Sequence, residues 1–191
     1  MTWNYAVLYL TYGIVLLVFP KEVVARLYDK SGRTRRQKLF IYGGSSLTCV
    51  YFSLISFSPL KTGSTVFIPG MTVFILGLAG FVTALFNFKN APRGQPVTRG
   101  LYRVSRHPQQ VMFFVSFLGM GLAIGSWLAL FVQGVSSLFL YARILAEEKA
   151  CLERYGDAYR DYMNRVPRYF LFAWSGKGEA LDRGSRDREK R

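Results

Sequence analysis

The chain has 191 residues, 51% of them apolar, and a net charge of +14. That length gives one domain or slightly more, and apolar runs of roughly 20 residues exclude an ordinary soluble one, because such runs are what a bilayer crossing requires. Two cysteines and one histidine are too few for a zinc site, so no metal is expected.

Five segments almost free of charge follow one another: Trp3 to Pro20, Leu39 to Leu60, Val66 to Phe88, Val111 to Ile124 and Trp127 to Leu145. They predict an all-α integral membrane protein with about five transmembrane helices. The first reads as a span rather than a secretory signal: Met1-Thr2-Trp3-Asn4 lacks a basic start, and no small-x-small cleavage site follows Phe19-Pro20. Gly43-Gly44-Ser45-Ser46, Gly77 and Gly80 read as helix-packing positions, since small residues let helices approach closely in lipid.

From Lys89 to Tyr102 the sequence is dense in turn formers, which predicts a structured loop. The fourth apolar segment is short and meets the fifth across Gly125-Ser126, which predicts a tight helical hairpin, tilted or incompletely crossing. The fifth helix is expected to run on past Leu145 through Glu147, Glu148, Lys149, Glu153 and Arg154, with Gly156 ending it. Asp157 to Asn164 then predicts another turn or two, with Tyr159 and Tyr162 on one face. The aromatics from Tyr169 to Trp174 suit the headgroup region, and 175–191 reads as a disordered charged tail. The chain thus divides into 1–88, three N-terminal spans; 89–174, the hairpin with C-terminal helices; and the tail.

Charge placement supports the span count independently. Seven Lys/Arg lie between the first two spans, five between the third and fourth, and twelve from Arg143 onward, whereas the loop 61–64 holds Lys61 alone. With the N-terminus outside, 24 of the 25 basic residues fall in the cytoplasm. This distribution accounts for the charge better than nucleic acid does, and makes anionic membrane lipid the expected partner.

Two polar clusters stand out: Arg106-His107-Pro108 before the hairpin, and Arg143 with Glu147-Glu148 after it. Charged groups at the edge of hydrocarbon are costly to keep, so their clustering marks a candidate site. Pro108 suits the first position of a helix, whose free amides would favour a carboxylate or phosphate near Arg106 and His107. Arg143 and Glu147 are spaced i, i+4 and share a helix face, while Glu148 is turned about 100° away. A plain intrahelical ion pair is the alternative, but the hairpin returns both clusters to the same membrane face.

Val97-Thr98-Arg99-Gly100-Leu101-Tyr102, Arg106-His107-Pro108, and Arg143-x-x-x-Glu147-Glu148 with Leu152, Tyr155-Gly156, Tyr159 and Tyr162 together resemble the C-terminal signature of the isoprenylcysteine carboxyl methyltransferase and phospholipid N-methyltransferase superfamily. The resemblance covers about 97–168. It implies a membrane enzyme using S-adenosylmethionine, with Gly100, Tyr102, Arg106, His107 and Pro108 enclosing the cofactor and Glu147 or Glu148 meeting its amino group. It further implies that Arg143 and Glu147 stand at the reacting centre, and that the acceptor is lipophilic, an isoprenylcysteine-type carboxylate or a phospholipid amine. Two features depart from the family: Gln110 stands where an aromatic is usual and Met112 near the position of a small residue, and the 89–100 loop is shorter than in the isoprenylcysteine enzymes. NADPH-dependent sterol and enone reductases resemble the same region, and a non-catalytic relative is the third reading.

Overall fold

A computed structural model of the protein describes residues 13, 35–92 and 95–169, and the regular elements among them are helices. These are α1 (Arg35–Phe57), α2 (Phe67–Lys89), a 3₁₀ turn (Gly100–Arg103), α3 (Pro108–Ala123), α4 (Trp127–Tyr155) and α5 (Asp157–Arg165). The expected first span and the charged tail lie outside the described residues.

The boundaries follow local chemistry. α1 ends before Ser58-Pro59, as a residue preceding proline resists the helical region. α3 opens on Pro108, as expected from its fixed φ. Ser126 caps α4 by accepting a hydrogen bond from the Ala129 N–H at 3.3 Å. At the other end of α4, Gly156 takes a φ of 55°, which favours glycine, and the chain turns directly into α5.

Among the described helices, α2 and α4 are long and apolar enough to cross a membrane. With 16 residues, α3 is shorter, rising about 24 Å against a hydrocarbon thickness of about 30 Å. α2 and α4 leave Ile68, Leu76, Phe131 and Leu138 exposed.

The hairpin connection is tight, with Gly125 at φ 59° and Lys61 Nζ donating to the Gly125 carbonyl at 3.2 Å. The packing is not that of a simple hairpin, however. α3 packs chiefly on α2, and α4 chiefly on α1. Bare glycine backbone explains the α2–α3 pairing: a Cβ on Gly77 would lie 2.4 Å from Ser116 N, and one on Gly119 would lie 2.3 Å from Phe74 N. Likewise a Cβ on Gly43 would press on Phe139 of α4 at 2.8 Å. Met112 fills the space that Gly80 leaves open, where a Cβ would meet its sulfur at 2.4 Å. Tyr51, Phe74, Phe117, Met120 and Ile124 form the apolar core between these pairs, and the Tyr51 hydroxyl donates to the Phe117 carbonyl.

Candidate active site

At the end of the bundle away from Lys61, the 3₁₀ turn, the start of α3, the end of α4 and the segment after α5 converge. The loop entering α3 is pinned by backbone bonds. The Arg106 N–H donates to the Pro167 carbonyl (3.0 Å), the buried Ser105 hydroxyl donates to the Arg168 carbonyl (2.8 Å), and the His107 N–H donates to Ser105 Oγ (3.2 Å). From α5, the Tyr162 hydroxyl donates to the Tyr102 carbonyl at 2.7 Å. Tyr159 and Tyr162 lie together as their spacing predicted, with ring centroids 5.8 Å apart, and burial pushes both phenols well above their ordinary pKa. Gly100, at φ 56°, opens the 3₁₀ turn directly against the Asn87 side chain, which a Cβ would meet at 2.2 Å.

The two acidic neighbours have different surroundings. Glu148 is 4% exposed and faces three cationic or potentially cationic side chains. Arg168 grips it with both edges of its guanidinium, Nε to Oε1 at 3.0 Å and an NH2 to Oε2 at 2.6 Å. Arg106 lies 3.2 Å from Oε1, and His107 Nε2 lies 3.3 Å from the same oxygen. Burial alone would raise the pKa of this carboxyl. The bonds from His107 and Arg168 and the charges of Arg106 and Arg168 outweigh it and hold the group at about 2.

Glu147, half-buried, accepts a hydrogen bond from Gln110 Nε2 at 3.2 Å. The ion pairs among the described residues do not include it. Its charge reaches its neighbours: after burial, Glu147 is the next cause that raises the phenol of buried Tyr102 well above its usual value and the Cys151 thiol to about 11. One turn earlier on α4, Arg143 has its Nε buried without a hydrogen-bond partner. Arg106 Nε is a buried donor in the same condition.

The structure therefore brings the two sequence clusters together, joining Arg106 and His107 to Glu148, the last two 41 residues apart in the chain. Pro108 is fully buried beneath them. Sequence reasoning did not assign Arg168, one of the twelve cations from Arg143 onward with no spacing to mark it, nor Ser105 and Gln109. Gln110 stood out only as an odd residue in a motif.

Residues 70–158 match the phospholipid methyltransferase family. A relative from Schizosaccharomyces pombe, Protein-S-isoprenylcysteine O-methyltransferase, is 36% identical over 72 residues, which are 37% of this chain. The chain spans about a third of the length of that curated relative, 30% by alignment. No solved structure matches.

Proposed function

We propose that the chain is a multi-pass membrane methyltransferase using S-adenosylmethionine and acting on a lipophilic acceptor that enters from the bilayer, a reading supported by the phospholipid methyltransferase match over residues 70–158 and by the likeness to an isoprenylcysteine methyltransferase. The observation that carries this reading is the convergence of Arg106, His107, Glu147 and Glu148 at one end of α3 and α4, inside the matched region. The donors present suit the cofactor. Arg106 has a buried Nε–H without a hydrogen-bond partner, which fits a carboxylate, and Glu147 carries a charge that no cation among the described residues pairs, which fits an ammonium group.

In this reading Glu147, rather than Glu148, receives the cofactor's amino group, since both oxygens of Glu148 are engaged by its cations. Glu148 ties the 105–108 loop and the 166–168 segment to α4. Tyr102, His107 and Pro108 are buried side chains that would wall the cofactor site. When bound, the cofactor supplies a sulfonium methyl group that needs in-line positioning more than acid–base help. Arg143 orients a carboxylate acceptor, and Glu147 can take a proton from an amine or thiol. The membrane arrangement in this proposal has five spans, with the N-terminus outside; residues 89–174, which include the last two spans, carry the cofactor-binding site at their cytoplasmic end.

Isothermal titration of the purified protein with S-adenosylhomocysteine is the direct test, and absence of binding by folded protein overturns the reading. Methyl-labelled S-adenosylmethionine incubated with membrane lipid extract then identifies the acceptor by the labelled product.

A further inference from the structure

Glu147 reaches its hydrogen-bond partner on another helix. Gln110 stands in the first turn of α3, two residues after the fully buried Pro108, and its Nε2 lies 3.2 Å from Glu147 Oε2. An ionised carboxylate has no proton to give, so the amide must turn its NH₂ toward it, and the orientation of both groups is fixed at once. The base of Gln110 is itself rigid, because the loop before α3 is pinned to residues 167 and 168 through Ser105 and Arg106. Glu147 would otherwise be a long, half-buried side chain on the solvent-facing extension of α4, free to sample several rotamers.

We propose that Gln110 is a positioning residue for Glu147: it holds the carboxylate with a neutral donor and so leaves its negative charge open to a cationic ligand group. This rests on the assignment of Glu147 to the cofactor's ammonium. The contrast with Glu148 shows why neutrality matters. A carboxylate gripped by two arginines and a histidine has little attraction left for an ammonium, whereas one held by an amide is preorganised and keeps its charge. Gln110 thus does with a hydrogen bond what an arginine in its place would undo with a charge.

The test is calorimetry with S-adenosylhomocysteine on the full-length protein in detergent, comparing wild type, Gln110→Leu, Gln110→Lys, Glu147→Gln and the Gln110→Leu/Glu147→Gln pair. Gln110→Leu is expected to weaken binding about tenfold, the loss of one well-placed hydrogen bond to a charged group. Gln110→Lys keeps a link between α3 and α4 but cancels the charge, so its loss should be at least as large. If Gln110 served only to join the helices, the lysine variant would bind like wild type, and that result overturns the proposal. In the Glu147→Gln background, Gln110→Leu should change affinity less than twofold; a full tenfold effect there also overturns it. Should Gln110→Leu fail to fold, judged by its thermal transition, the lysine variant decides alone. Wild-type binding with unchanged affinity in both Gln110 variants removes this inference and leaves the methyltransferase reading standing. Wild-type protein that does not bind removes both.

Discussion

Helix α3 is held at its two ends by opposite means. Its later half is fixed by shape, with Gly119 laid against the backbone of Phe74 so closely that no Cβ fits. Its start is fixed by charge and hydrogen bonding, through Arg106 and the His107 ring on Glu148 and the cross-brace from Arg168. The first kind of contact ignores protonation and tolerates no added volume. The second tolerates small changes of shape and depends on every charge being present.

The most severe way to break the comparison is Glu148→Ala, which leaves Arg106 and Arg168 facing one another without their shared anion. Removing one partner of a buried ionic cluster costs about 3–5 kcal/mol. Denaturation in micelles should show that loss, and S-adenosylhomocysteine binding should disappear with it. Gly119→Ala should cost about 1–3 kcal/mol, the usual penalty of overpacking, because α2 and α3 must separate to admit the methyl group. Arg168→Ala removes two hydrogen bonds to Glu148 but leaves Arg106 and His107 in place, so about 1.5 kcal/mol is expected from the same unfolding measurement.

Acid sharpens the contrast. Glu148 ionises at about 2 in the folded chain, against about 4.3 for an ordinary glutamate. The unfolded state therefore takes up its proton first, and the ion cluster's contribution is present above pH about 4.3 and is lost as pH falls through about 2. The stability gap between wild type and Glu148→Gln should close over that window, while the gap between wild type and Gly119→Ala stays constant. A pH-independent Glu148→Gln gap would show that the carboxylate is not held by charge.

Much of this arrangement can be read from the residues alone. Apolar runs bounded by Pro59, Pro108 and Gly156 give the helices, and the run of the fifth segment past Leu145 follows from the helix formers after it. The meeting of Arg-His-Pro with the acidic pair also follows, once both lie at one end of neighbouring helices. What cannot be read is rotational phase. Glu147 and Glu148 differ by one residue, and nothing in their order says which faces Arg106 and which faces Gln110, because that depends on how α4 is turned against α3. The pairing of α3 with α2 was hidden for a related reason: Gly77 and Gly119 mark close approach but do not name the helix that approaches. Met112 looked out of place until Gly80 supplied the room for it.

The brace from Arg168 to Glu148 also bears on how the protein is made. A ribosome delivers Glu148 to the folding chain 20 residues ahead of Arg168, so the helices can assemble while the acid still lacks its strongest partner. Glu148 therefore gains that partner only after the helices before it have been made. A shortened chain stopped at residue 158, where the family match ends, would keep α1 to α4 and lack the arginine that braces Glu148.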